Sequence, residues 1–123
     1  IQPIWFFSDM TTTLSRKSLG SATILALSGR LDSNSCSAVE PLLLDGVANE
    51  KIVLMDLSDV PYISSAGLRI ILKAAKTLGQ SGGTFALCAL KPEILKIFEI
   101  SGLVRILRIF GSPEEAVAAY GVA

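Results

Sequence analysis

Apolar and polar positions alternate along this chain between short runs and longer stretches with helical spacing. Thr11–Lys17 is a weak, polar strand candidate, Leu19-Gly20-Ser21 a turn and Ala22–Leu27 a stronger strand, which together predict a hairpin. After a turn-rich stretch, Gly29–Ser33, the residues Val39, Leu42, Leu43 and Val47 recur at helical spacing. They predict a helix over Asn34–Ala48, with Ser37 and Glu40 as a capping box and Pro41 fitting only near the start. Lys51–Leu57 is apolar on both faces, as a central strand covered on two sides requires. Ser65–Gly79 then reads as a helix, Gln80–Gly83 as a loop and Thr84–Leu87 as a short strand. A helix opened by Pro92 runs to about Ser101, Val104–Phe110 is a final strand, and Ser112-Pro113-Glu114-Glu115 starts a last helix. Strand, strand, helix, then strand and helix three times predicts one α/β domain. Its sheet is mixed but largely parallel, with 4–5 strands and about four helices.

Composition narrows what such a domain does. The chain has 123 residues, 50% of them apolar and 18% charged, with 11 Lys+Arg against 11 Asp+Glu. That length suits one domain of roughly 100–150 residues, and the balanced charge argues against a nucleic-acid partner. There is no histidine, so the commonest general base and the commonest metal ligand are both missing. Cys36 and Cys88 form no CxxC pair and read as reduced core thiols, consistent with a cytoplasmic protein. No apolar run approaches the ~20 residues of a bilayer span, so no direct membrane insertion is expected. Met10 opens a polar stretch and is the expected natural start. Residues 1–10 are then an appended or disordered segment and 11–123 the domain.

The segment Asp56-Leu57-Ser58-Asp59-Val60-Pro61-Tyr62-Ile63-Ser64-Ser65-Ala66-Gly67-Leu68 differs from the rest. It leaves the most apolar strand, crosses a loop and enters a helix through two serines. In open α/β sheets the loops past the carboxyl ends of strands form the usual functional edge. A serine at a helix start stands beside unpaired amides at the positive end of the dipole, where added negative charge is tolerated. At ~100° per residue, Arg69, Lys73 and Lys76 fall within a quarter-turn of Ser65, giving a basic stripe suited to an acidic surface. The plainer readings are that Ser64 or Ser65 is simply an N-cap, that the stripe is solvated, and that Asp56 and Asp59 bond their own turns instead of a cation. No metal, cofactor or catalytic residue is assigned. A Ser65 nucleophile would need a lysine base, and Lys73 lies two turns away.

The same segment resembles the signature of the STAS domain, the family of bacterial anti-sigma factor antagonists. Leu27-Ser-Gly-Arg-Leu-Asp32, Glu99-Ile-Ser-Gly-Leu103 and Ser112-Pro-Glu-Glu-Ala-Val-Ala118 resemble other parts of that family in order, covering about Thr11 to Tyr120. The resemblance implies partner switching. An antagonist binds an anti-sigma factor that is also a serine kinase, is phosphorylated on a serine at the helix start and loses binding, and a phosphoserine phosphatase resets it. Ser65 matches the phosphorylated position, with Ser64 as the alternative. Ser64 replaces a common aspartate, and Ala66 a second hydroxyl. The implied partner-binding set is Asp32, Asp59, Tyr62, Ser64, Ser65, Ala66, Gly67, Arg69, Lys73 and Lys76. The other reading is a STAS scaffold, ligand sensor or soluble subunit of a lipid or anion transport complex without a phosphoswitch.

Overall fold

The computed structural model describes the backbone of residues 4–6 and residues 12–121 in full. The expected boundary between residues 10 and 11 lies outside the described residues. Six strands form one sheet in sequence order: β1 (Ile4–Phe6), β2 (Thr13–Leu19), β3 (Ala22–Ser28), β4 (Ile52–Asp59), β5 (Thr84–Cys88) and β6 (Arg108–Phe110). β1–β2 and β2–β3 are antiparallel, and the pairs from β3 to β6 are parallel. The five strands from β2 onward are the mixed sheet that the pattern predicts, and β1 adds a short antiparallel edge.

The order of the parallel strands dictates where the helices go. From β3 to β6 each crossover moves one strand in the same direction, and right-handed crossovers then put every connecting helix on the same face. α1 (Ser33–Val47), α2 (Ser65–Gln80) and α3 (Pro92–Ile100) accordingly share one core with that face. α4 (Pro113–Tyr120) follows the last strand, is free of the rule, and packs Ala116 and Val117 on the opposite face. Strand alternation splits β4 between the two cores: Val53, Met55 and Leu57 point to the three-helix side and Leu54 to the α4 side. All four are fully buried, which accounts for the unbroken apolar run.

Three local expectations are corrected. The α1 capping box is Asp32 with Ser35, not Ser37 with Glu40, so the helix starts one residue earlier than predicted. Pro41 lies about two turns inside α1. Its ring is exposed, and so is Ser37, whose carbonyl would otherwise receive the missing amide bond. Buried Val39, Leu43 and Val47 hold the helix across this gap. Finally, Val104–Phe110 is not one strand. Gly102 at φ 79° reverses the chain into a 3-10 turn over Leu103–Arg105, and only Arg108–Phe110 pairs with β5. The apolar positions of that stretch do not alternate by two, so they cannot sustain a longer strand.

Candidate functional site at the carboxyl edge of the sheet

The two central parallel strands do not end cleanly; their loops continue the pairing. The register between β3 and β4 shifts by one residue between Ala26 and Ser28. Beyond it the Gly29 amide donates to the Asp59 carbonyl (3.0 Å), Leu31 to Tyr62 (2.9 Å) and Ser64 to Leu31 (2.9 Å). Leu31, Val60 and Ile63 are buried beneath these bonds. The β3–α1 and β4–α2 loops thus form one platform fixed to the core, and the start of α2 sits at its end. Ser28 Oγ donates to the Asp59 carboxylate, tying the bulge to the loop.

The platform separates the two serines. Ser64 is the N-cap of α2, in extended conformation, and its Oγ accepts the Gly67 amide (3.3 Å). Ser65 is the first helical residue. Its side chain is exposed and its hydroxyl makes no hydrogen bond among the described residues. Ala66 is half-buried against the core. Gly67 is buried because α2 passes so close to the platform that a Cβ there would lie 2.8 Å from the Leu31 carbonyl oxygen.

Asp32 is placed at the platform's other end, and its carboxylate is already engaged. It accepts the Asn34 and Ser35 amides (3.0 and 3.2 Å) and the Arg30 guanidinium (3.4 Å). Buried Ser35 completes the box: its hydroxyl accepts the Asp32 amide and donates to the Arg30 carbonyl. The Ser35 amide, followed by Asn34 and Arg30, holds the Asp32 carboxyl below its ordinary value of 3.8 despite an opposing desolvation. A depressed carboxyl stabilises the fold above its unfolded value, and that contribution is lost as pH falls through the lower folded value. Asp32→Asn keeps a capping oxygen and removes this titration. Its melting temperature should therefore fall less than the wild type's between about pH 5 and pH 2, as followed by circular dichroism.

Arg30 lies in the turn-rich stretch between β3 and α1, and the structure adds it to the site. Its guanidinium stacks 4.2 Å from the centroid of the Tyr62 ring, while Tyr62 is 40% exposed. Arginine and tyrosine are among the side chains that most often dominate interface energetics. A turn-rich stretch gives no periodic signal, and the Tyr62 contact comes from the other loop, so no local pattern marks Arg30.

The basic stripe of α2 is partly spoken for. Lys73 pairs with Glu40 of α1 (2.6 Å), and Arg69 lies close enough to α1 for its charge to oppose the burial that raises the Cys36 thiol pKa. Arg69 and Lys76 are exposed, and neither has an ion pair among the described residues. Asp56 caps its own turn through the Ser58 amide (2.9 Å). Among the described residues no acidic, cysteine or histidine group is arranged to hold a metal, and no helix is long and apolar enough to cross a membrane.

Comparison with known proteins agrees with this fold. A family model described as the STAS domain matches residues 14–116. A Bordetella bronchiseptica protein, BtrV, that bears the name of an anti-sigma factor antagonist is 42% identical over 101 residues, spanning 81% of this chain and 87% of its own length. An anti-sigma-B factor antagonist of Listeria monocytogenes is 33% identical over 84 residues, 68% of this chain and 74% of its own. The crystal structure of an anti-sigma factor antagonist from Mycobacterium paratuberculosis has the same fold. Its TM-score is 0.81 at 23% identity, over 94% of this chain and 97% of its own.

Proposed function

The chain belongs to the STAS domain family of anti-sigma factor antagonists, and from that membership we propose that it works by partner switching at Ser65. In this reading the loop platform and the first turns of α2 bind an anti-sigma factor that is also a serine kinase. The kinase phosphorylates Ser65, binding is lost, and a phosphoserine phosphatase restores it. The observation that carries the reading is the division of labour between the serines. Ser64 spends its hydroxyl oxygen on the Gly67 amide, whereas the Ser65 hydroxyl is exposed and unbonded among the described residues. A phosphate on Ser65 would sit at the positive end of the α2 dipole without disturbing a cap. One on Ser64 would esterify the oxygen that accepts the Gly67 amide and caps the helix.

Incubation with the anti-sigma factor kinase and ATP is expected to label wild type and Ser64→Ala, and not Ser65→Ala. Mass spectrometry of the α2 peptide reads the site directly. Label that persists in Ser65→Ala overturns the assignment. Ser64→Ala itself should cost about 1 kcal/mol of stability through loss of the cap.

A further inference from the structure

A second surface lies at the lateral edge of the sheet. β6 is the last strand among the described residues, and on its inner side the Phe110 carbonyl accepts the Ala89 amide (2.9 Å). Strand alternation turns the N–H and C=O of Ile109 outward, where no strand among the described residues pairs with them. An open groove of about 450 Å³ adjoins this strand, walled by Leu90 from the loop after β5, Leu95 of α3, Val104, Ile109 and Phe110. Ile100, the last residue of α3, and Ile106, between the 3-10 turn and β6, are 79% and 68% exposed. Scattered exposed apolar residues need no explanation, but Ile106 is followed directly by Leu107, which lines the groove, and by the open strand.

The charges beside the groove favour one kind of occupant. Arg105 and Arg108 are exposed and have no ion pair among the described residues. Arg108 instead lies over the rings of Phe110 and Tyr120, 5.0 and 5.6 Å from their centroids. No acidic side chain among the described residues lines the groove; Glu115 stands against Gly111, one of its lining residues. A second copy docked edge to edge would bring four arginines into one seam, and like charges facing each other across strands are destabilising. An acidic chain meets the opposite situation.

We propose that the β6 edge accepts an extended acidic segment of another protein as an added strand. Its backbone would pair with Ile109, its apolar side chains would fill the groove, and its carboxylates would meet Arg105 and Arg108. This is the physics of strand addition, with main-chain bonds giving affinity and alternate side chains giving selectivity. β5 separates this edge from β4 and the Ser65 platform, so occupancy is independent of the phosphorylation state of Ser65.

The test titrates isotope-labelled full-length chain with three capped peptides, followed by amide chemical shifts. The peptides are Glu-Val-Glu-Val-Glu, its lysine counterpart Lys-Val-Lys-Val-Lys, and the glutamate peptide with its central residue replaced by proline. The glutamate peptide should shift the Val104 and Ile109 amides saturably, and the other two should bind at least tenfold more weakly. Arg105→Glu combined with Arg108→Glu should reverse the charge preference, and Ser65→Asp should leave it unchanged. Equal affinity for the acidic and basic peptides, no saturable shift at β6, or a dimer held by this edge in sedimentation would each overturn the proposal.

Discussion

Ser65→Asp is expected to weaken binding to the anti-sigma factor kinase by more than a hundredfold, while Ser65→Ala binds as the wild type does. The reason is desolvation. A partner that docks over a neutral hydroxyl buries it at little cost, because Ser65 has no hydrogen bond to lose among the described residues. A carboxylate or phosphate at the same place must leave water facing groups chosen for a hydroxyl, which costs several kcal/mol unless it is paired. About 3 kcal/mol is already more than a hundredfold in affinity. The fold need not rearrange. Ser65 is exposed at the first helical position, where a negative charge is favourable to the helix. The variant should therefore melt at or slightly above the wild-type temperature. Calorimetric titration of both variants, with melting curves as control, separates the cases. Equal affinities for Ser65→Asp and Ser65→Ala would remove the switch, whatever the labelling experiment shows.

The platform beneath Ser65 was only partly legible in the sequence. Topology was readable because it follows from element order: three strand–helix–strand units with short links leave one economical arrangement. The loop after β4 was readable as functional because it joins the most apolar strand to a helix start. Spacing alone could not choose between Ser64 and Ser65, since either can cap a helix. The bond from Gly67 to Ser64 and the anchoring of the Ser64 amide on Leu31 identify Ser64 as the cap. Asp32 escaped recognition as a cap because its third-position partner is Ser35, whereas the sequence pattern looks for glutamate or glutamine there. The stripe on α2 was correct as a list of lysines and arginine on one helix. Its charge was overestimated because Glu40 arrives from a different element to pair with Lys73.

Gly67→Ala is expected to lose about 1–3 kcal/mol of stability and to weaken partner binding with it, even though alanine is the better helix former. The added Cβ would stand 2.8 Å from the Leu31 carbonyl oxygen, 2.9 Å from Leu31 Cγ and 3.2 Å from Ile63 Cγ2. None of these atoms gives way easily. The Leu31 carbonyl accepts the Ser64 amide, and the Leu31 and Ile63 side chains are buried in the core. Relief requires α2 to move away from the platform, which strains the Ser64 anchor and displaces Ser65 from the two loops. Helix propensity works the other way, by at most ~1 kcal/mol and by less in a first turn. Gly79, in the same helix, isolates that opposing contribution: a Cβ there meets nothing within 4 Å. Gly79→Ala should thus be neutral or stabilising by up to ~1 kcal/mol, with partner affinity unchanged. Urea denaturation of the pair gives the difference in stability, and titration against the anti-sigma factor gives the difference in binding. If Gly67→Ala matched Gly79→Ala in both, the close approach of α2 to Leu31 would not be what positions Ser65.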